Sequence, residues 1–232
     1  MTTATAPRPT RRRRGPLFWG GLGMVTAGLA ILGWLGWQFW GTNWVSNQRQ
    51  DAVTEELRDA WTAGEGTART DFGDAEAILH VPRFGEDFAV PVLAGSSDEV
   101  LAAGIGHVED TGEPGKKGNY VVAGHRVTHG EPFAGFPDLR EGDLVHVETR
   151  TATYTYELDL DGTELILPFT DTWVLDDLPT HPDGGPQASA PAGGEVITLI
   201  TCSEIFHTDN RSVVFGHLVE TAKTVGADGS AR

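Results

Sequence analysis

The sequence predicts a mainly β fold, an eight-stranded barrel that is closed or nearly closed, with short helices and a preceding N-terminal transmembrane helix. From Ala75 onward, short apolar runs are separated by Gly, Pro and Asp, and several of them alternate apolar with polar residues. This alternation is typical of half-buried antiparallel strands. The eight runs are AILHVP, FAVPVL, NYVVAGH, DLVHVET, TYTYELDL, TELILPF, EVITLITC and SVVFGHLVE.

A long uncharged segment, Leu17 to Trp40, follows a tail that contains Arg8 and the run Arg11 to Arg14. A transmembrane helix needs about 20 apolar residues, whereas the apolar core of a secretory signal peptide has only about 7–15. Tryptophans crowd the far end of the segment, where a membrane–water interface favours them. The segment 17–40 therefore predicts an uncleaved transmembrane helix, with residues 1–16 in the cytoplasm and the rest of the chain outside the cell.

The remaining chain divides into three parts. Residues 41–74 predict an extracellular stalk with a short amphipathic helix, since Val53, Leu57 and Trp61 recur at helical spacing. Residues 75–221 form the predicted barrel domain, and residues 222–232 are polar enough to predict a disordered tail.

The charge of the exported part excludes some partners. Five of the 17 basic residues lie in the N-terminal tail, which leaves 12 against 33 acidic residues, a formal charge of about −21. Such a surface argues against nucleic acid as a partner and against close adhesion to anionic lipid.

Cys202 is the only cysteine of the 232 residues. A lone cysteine is often a small buried hydrophobe. In an oxidising location outside the cell, however, a structural cysteine normally has a partner, and an unpaired one indicates an intermolecular bridge or a reactive thiol. The location therefore favours chemistry at Cys202.

Arg211 is predicted to lie opposite this thiol. Cys202 ends the strand EVITLITC, and Arg211 begins the next strand, so antiparallel pairing would place the two residues across from each other, about 5 Å apart. A guanidinium there could stabilise negative charge on a substrate carbonyl oxygen. The alternative is a solvated arginine that pairs with Asp209.

A thiol nucleophile usually works with an imidazole. His125 ends the apolar strand NYVVAG and His207 lies in the loop beside Cys202, and spacing alone does not choose between them. His146 and His217 lie inside strand patterns and are expected on the barrel surface. The pair His125 and His129 lies in a Gly/Pro-broken loop rather than on a helix, and no other spacing completes a metal site, so neither a metal nor a cofactor is predicted.

The chain resembles the sortase family of cysteine transpeptidases. The motif NYVVAGHRVTHGEPF, the strand end TLITC and Arg211 follow one another in the family's order, and the resemblance covers about residues 75–220. The segments THGEPF, TWVLDDLP and CSEIFHTDNR make the chain most similar to class E sortases of actinobacteria.

The resemblance implies a site and a reaction. It selects His125 as the catalytic histidine, Cys202 as the nucleophile and Arg211 as the arginine of the oxyanion site. It implies that the substrate is another exported protein with a C-terminal sorting signal of the form Leu-(Pro or Ala)-X-Thr-Gly, cleaved between Thr and Gly. The acceptor it implies is an amine of a cell-wall precursor.

Two further positions have alternative explanations. Thr201, next to the nucleophile, either contacts the oxyanion or substrate, or packs within its strand. Tyr120 matches the residue that the family links to a preference for Ala over Pro in the signal, and is otherwise one more aromatic of the barrel.

Other function classes are considered beside the transpeptidase. An L,D-transpeptidase would have His and Gly just before the cysteine, which LITCSE lacks. A cysteine hydrolase with the same three residues, and an anchored non-catalytic β-barrel module with an inert Cys202, remain as alternatives.

Overall fold

The computed structural model describes residues 15–37, 41–189, 193–203 and 209–224. The chain divides into two compact units, residues 1–41 and 42–232. The smaller unit contains helix α1, Pro16–Gly36, which begins with a proline and has no buried residue. At 21 residues it is about 30 Å long, and it is long and apolar enough to cross a membrane. The predicted apolar helix is thus present, while residues 38–40 of the predicted span lie outside the described residues.

In the part of the larger unit that the structure describes, a β structure is accompanied by two further α-helices and three short 3-10 helices. The α-helices are α2, Thr42–Thr62, and α3, Asp98–Leu101, and the 3-10 helices are Pro82–Phe84, Phe136–Asp138 and Thr172–Leu175. The strands are β1 Ala68–Thr70, β2 Gly73–His80, β3 Val90–Ala94, β4 Ile105–His107, β5 Gly118–Ala123, β6 Leu144–Glu148, β7 Ala152–Leu158, β8 Leu165–Pro168, β9 Glu195–Cys202 and β10 Asn210–Lys223.

Eight strands close into a ring in the order β2–β3–β4–β5–β9–β10–β7–β6, and the pairing of β6 with β2 completes it. The pairs β3–β4 and β5–β9 are parallel, and the other ring pairs are antiparallel. Strands β1 and β8 lie outside the ring and pair with β2 and β10. The predicted closed eight-stranded barrel is confirmed.

The membership of the ring differs from the sequence pattern in one strand. The run Thr163 to Phe169 contains β8, which pairs only with Asn210–Val213, the first four residues of β10. The eighth ring strand is instead β4. A Cβ on Gly104, just before β4, would lie 2.4 Å from the Pro91 carbonyl oxygen, and a Cβ on Gly106 would lie 2.4 Å from the Gly95 carbonyl oxygen. These glycines let the strand pack closely, but they hide its strand pattern from the sequence.

The barrel interior is filled by inward-facing apolar side chains from every ring strand. Alternation along β9 shows this arrangement: Ile197 and Leu199 point into the barrel, while Val196 and Ile200 face a second apolar cluster outside it. That outer cluster is covered by β8 and the 3-10 helix Thr172–Leu175.

Helix α2 packs on the barrel rather than forming a separate stalk. Val53 and Leu57, which the sequence places on one helical face, are fully buried against Ile78 and Leu93 of β2 and β3. Burial of one such side chain contributes about 1.5–3 kcal/mol.

At the C-terminal end, β10 continues to Lys223, two residues beyond the predicted boundary at 221. Residues 225–232 of the predicted tail lie outside the described residues.

Candidate active site

Three neighbouring strands meet at one edge of the barrel, where β5 and β9 end and β10 begins. The register pairs Ala123 of β5 with Ile200 of β9, and Cys202 of β9 with Arg211 of β10. Because side chains alternate along a strand, Ile200 and Cys202 share the outer face. The thiol and the guanidinium are therefore on the outside of the barrel, at the end of the sheet.

Cys202 and Arg211 are directly opposite each other, as their spacing predicts. The thiol is half-buried and is not in a disulfide. One guanidinium nitrogen of Arg211, Nη1, donates a 3.1 Å hydrogen bond to the carbonyl oxygen of Asn210. The antiparallel return of the chain thus places a cation next to the candidate nucleophile.

His125 follows β5, the strand that flanks β9 on the side away from Arg211. One residue past the end of β5, the Gly124 amide donates to the Ile200 carbonyl oxygen at 3.1 Å. The Thr201 hydroxyl donates to the Gly124 carbonyl oxygen at 2.8 Å. These bonds continue the parallel alignment of β5 and β9 one residue past the end of β5. If the same register is extended by one more residue, His125 pairs with Cys202. His207, the other histidine that spacing left open, lies outside the described residues.

The surroundings of His125 favour its neutral form. Its ring stacks on the ring of His129, with centroids 4.7 Å apart and planes at 27°. The pKa of His125 is lowered, first by burial and then by the charge of His129, against a smaller opposing effect of the Asp98 carboxylate. Since an ordinary histidine titrates near 6.5, the neutral imidazole predominates at pH 7.

Arg126 is a site residue that the sequence reasoning did not single out. Its Nη1 donates to the carbonyl oxygen of Cys202 at 3.4 Å and also to that of Ser203. The guanidinium therefore ties the residue after His125 to the end of β9, and it adds a second positive charge near the thiol. The only sequence signal is its position directly after His125, because the partners are main-chain atoms far along the chain.

An apolar groove of about 310 Å³ runs along the outer face beside this row. Its floor consists of Ala123, Ile200 and Val213, which lie two residues further into the strands than the candidate catalytic residues. Side chains of β8 and of the segment 169–175 form one wall, and Arg211 also lines the groove. An extended peptide with apolar side chains could lie in it with a carbonyl group near Cys202.

Thr201 and Tyr120 have partners within the protein. Thr201 is buried and its hydroxyl bonds Gly124, so the structure favours strand packing over a substrate contact. Tyr120 is 1% exposed, lies in the barrel core and donates its hydroxyl to Glu76 Oε1 at 3.2 Å. It precedes His125 by five residues, about 17 Å along an extended strand, so the structure does not bring it together with the other site residues.

The Tyr120 hydroxyl belongs to a polar network within the barrel. Glu76 sits at an irregularity between β2 and β3, and its Oε1 lies 2.8 Å from His107 Nδ1. The His107 ring contacts the Tyr120 ring, with centroids 4.7 Å apart, and its Nε2 lies 3.0 Å from the Gly112 carbonyl oxygen. Burial lowers the pKa of His107, but the hydrogen bond and charge of Glu76 leave it raised overall.

Other histidines of the described chain have structural partners. His146 Nδ1 lies 3.0 Å from Thr155 Oγ1, and His217 Nδ1 lies 2.8 Å from Asp159 Oδ1. Both are partly exposed, as expected for barrel-surface residues. Within residues 15–37, 41–189, 193–203 and 209–224, no group of three or more His, Cys, Asp or Glu side chains could hold a metal ion.

Comparison with known proteins gives a consistent family match. Residues 79–219 match the sortase domain family. The chain is similar to sortase SrtE2 of Streptomyces coelicolor, with 30% identity over 216 residues that cover 88% of this chain and 82% of the relative. It is also 33% identical to sortase SrtE1 of the same organism over 207 residues, which cover 84% of this chain but only 55% of the relative. The chain thus spans about half the length of SrtE1.

Solved structures show the same likeness. Sortase E from Streptomyces avermitilis has 36% identity and a TM-score of 0.54, over 63% of this chain and 89% of that chain. Sortase E1 from Streptomyces coelicolor, solved with a tripeptide in its active site, has 34% identity and a TM-score of 0.53, over 69% of this chain and 91% of that chain.

Proposed function

Because this chain belongs to the sortase family of cysteine transpeptidases, and within it to class E, we propose that it cleaves a C-terminal sorting signal on another exported protein and transfers that protein to a cell-wall amine. The observation that carries the proposal is the direct pairing of Cys202 with Arg211, on a strand whose other neighbour, β5, ends two residues before His125. The pair lies beside an apolar groove of about 310 Å³.

The groove supports a signal of the LAXTG or LPXTG type. Its Ile200, Val213 and Leu167 side chains would bury the leucine of the signal, and the extended peptide would then run toward Cys202. The carbonyl carbon of the signal's threonine would lie at the thiol, with its oxygen toward Arg211.

Acylation uses the neutral imidazole first as a base. His125 takes the proton of the Cys202 thiol as the sulfur attacks the threonine carbonyl carbon. Arg211 donates hydrogen bonds to the oxygen, where negative charge develops. The Thr–Gly bond then breaks, His125 returns its proton to the departing glycine amine, and a thioester on Cys202 remains.

Deacylation runs the same steps with a new amine. The amine nitrogen attacks the thioester carbon, His125 accepts its proton, and the sulfur leaves as a thiolate that regains the proton. An amide bond replaces the thioester, so the exported protein is joined to the acceptor. Attack by water instead of the amine would give hydrolysis, so the outcome depends on which nucleophile reaches the thioester.

Helix α1 supports an anchored location. It is apolar over 21 residues and follows the N-terminal arginine cluster, so the positive-inside rule would keep residues 1–16 in the cytoplasm and place the barrel outside the cell. Protease added to cells stripped of their wall should then digest the chain from about Asp51 onward. Protection of the barrel, or a mature N-terminus beyond Trp40, would contradict this location.

The reaction is tested with the full-length chain in detergent micelles, a peptide that contains the sorting signal, and a small primary amine. Mass spectrometry should show a peptide adduct on Cys202 without the amine and an amide product with it. The Cys202→Ala variant serves as the control and should give neither species. Equal turnover by that variant would rule out the proposed mechanism, and a hydrolysed peptide alone would favour the cysteine hydrolase.

A further inference from the structure

The loop that carries His125 contains a strained turn. Three consecutive residues, His129, Gly130 and Glu131, have positive φ angles of 57°, 82° and 50°. The left-handed region is costly for residues other than glycine, and such conformations persist only where surrounding contacts hold them. The turn lies four residues after His125.

Helix α2 provides those contacts. The side chain of Asn43, in the first turn of α2, accepts a 3.1 Å hydrogen bond from the Gly130 amide and donates a 2.5 Å hydrogen bond to Glu131 Oε1. A Cβ on Gly130 would lie 2.6 Å from Gln50 Nε2 and 2.9 Å from Asn47 Oδ1. The helix thus presses directly on the turn, and both the φ angle and the space at position 130 require glycine.

This strained turn holds the His129 ring against the His125 ring. His129 stacks on His125 with ring centroids 4.7 Å apart, and its Nδ1 lies 3.0 Å from Thr128 Oγ1. On the far side of the loop, the Phe133 amide donates to the His125 carbonyl oxygen at 3.0 Å. The contacts therefore run without a gap from Asn43 through the turn and His129 to His125.

We propose that Asn43 and His129 are positioning residues for His125. Through them, helix α2 sets the orientation of the His125 imidazole. Helix α2 begins six residues after the apolar helix α1 ends. The proposal rests on the proposed function, since His125 is the catalytic base and acid there. It identifies α2 as part of the catalytic apparatus, in addition to its packing on the barrel.

The charges around His125 agree with this arrangement. The charges that shift the pKa of His125 are those of His129 in the same loop and Asp98 of α3, while Arg126, next in the chain, bonds the carbonyl oxygens of Cys202 and Ser203. Helix α2 contributes uncharged amides to the turn, so it acts through the position of His129. The His129 charge lowers the pKa of His125, and loss of the stack should let that pKa rise toward its ordinary value.

Three variants and a control distinguish the effect of the His129 ring's position from the effect of its charge on His125. Asn43→Ala releases the turn, His129→Ala removes the stacked ring, and His129→Phe keeps a flat ring but removes its charge. The control is Gln48→Ala, an exposed amide of the same helix. All are made in the full-length chain in detergent micelles.

The kinetic readout is the turnover of sorting-signal peptide. Asn43→Ala and His129→Ala should lower kcat by roughly tenfold or more with little change in KM, since misplacing a catalytic group by about 1 Å can cost about 100-fold. His129→Phe should restore most of kcat, and Gln48→Ala should match the wild type. A His129→Ala variant with wild-type kcat would overturn the proposal, as would a His129→Phe variant as slow as His129→Ala.

The second readout does not depend on any substrate. The pKa of His125 is measured by NMR titration of histidine side chains labelled with carbon-13. The His125→Gln variant identifies the His125 signal. We expect His125 to titrate at higher pH in Asn43→Ala, His129→Ala and His129→Phe than in the wild type. An unchanged titration in all three would overturn the proposal. If the wild type fails to acylate any peptide, the proposed function fails, but the titration of Asn43→Ala still decides whether α2 acts on His125 through the turn, because that variant changes no charged group. Should Asn43→Ala not fold, the two His129 variants decide alone.

Discussion

Cys202 and Arg211 form a directly opposed residue pair at the open ends of β9 and β10. The antiparallel register therefore places the residue that carries the guanidinium directly beside the residue that carries the thiol. A planar donor fork in that position can hold a tetrahedral oxyanion through two hydrogen bonds, which an ammonium group cannot reproduce.

From this pair we expect that Cys202→Ala abolishes turnover and that Arg211→Lys lowers kcat by about 100-fold to 1,000-fold, the usual cost of losing one oxyanion donor. Steady-state kinetics with a sorting-signal peptide measures both. Both variants should keep the wild-type thermal midpoint within a few degrees, because the thiol is half-buried and the charge is retained. The matched control is Arg83→Lys, which alters an exposed arginine paired with Asp143 and should leave kcat unchanged. A fully active Arg211→Lys enzyme would contradict the role of Arg211.

Arg126 gives a second prediction. Its bonds to the carbonyl oxygens of Cys202 and Ser203 fix the end of β9 relative to His125. Arg126→Met keeps much of the side-chain length but removes the donors, so we expect a loss of about 1.5–3 kcal/mol in the free energy of unfolding and a fall in kcat. Urea unfolding and peptide kinetics measure the two effects. Unchanged values of both would show that these bonds are not formed in solution.

The local part of the site could be predicted from the sequence. The strand EVITLITC matches β9 residue for residue, because it is rich in β-branched residues and a long Gly/Pro-rich loop precedes it. Antiparallel pairing then follows from the short return to Arg211, so the Cys202–Arg211 register was accessible from spacing alone.

The contacts that could not be predicted are those between distant segments. His125 and His207 could not be separated by spacing, because the pairing of β5 with β9 joins residues 77 positions apart in a parallel register. Tyr120 could not be assigned to Glu76, 44 positions away, because their contact depends on an irregularity in β2 that no local pattern marks. The docking of α2 on the barrel was missed since an amphipathic helix does not specify which surface it covers.

Tyr120→Phe tests which of two roles the hydroxyl has. The hydroxyl is buried and bonds a carboxylate, so we expect Phe to lower the free energy of unfolding by about 1.5–3 kcal/mol and to leave the ratio of rates on LAXTG and LPXTG peptides unchanged. Tyr154→Phe is the matched control, because that ring is only partly buried. A changed peptide preference in Tyr120→Phe would instead show that the hydroxyl acts on the substrate.

The same network predicts a pH dependence of stability. The pKa of His107 is raised by Glu76 in the folded protein, so protonated His107 contributes stability that is fully present below about pH 6.5 and is lost as pH rises through the folded pKa. His107→Gln removes this contribution. The difference in thermal midpoint between wild type and His107→Gln should therefore shrink as pH increases from about 6 to 9. A difference that stays constant over this range would contradict a charged His107–Glu76 pair.

The last prediction concerns the groove. Ala123 lies on its floor, two residues before His125 and opposite Ile200, with its small side chain half-buried. Ala123→Leu adds three carbon atoms to a space of about 310 Å³, where they would compete with the apolar side chains of the signal. Because the added atoms lie beside the thiol rather than on it, binding should weaken while the chemistry is preserved.

We therefore expect KM of Ala123→Leu for the sorting-signal peptide to rise by about tenfold, equivalent to about 1.4 kcal/mol of lost binding, with kcat changed far less. The rate of Cys202 alkylation by a small reagent such as iodoacetamide should stay at the wild-type value, since that reagent does not need the groove. Ala94→Leu, at an exposed position of β3, controls for the added bulk on the barrel surface. If Ala123→Leu binds the peptide as well as the wild type, the signal's apolar side chains lie elsewhere, and the part of the proposed function that places them in this groove is wrong.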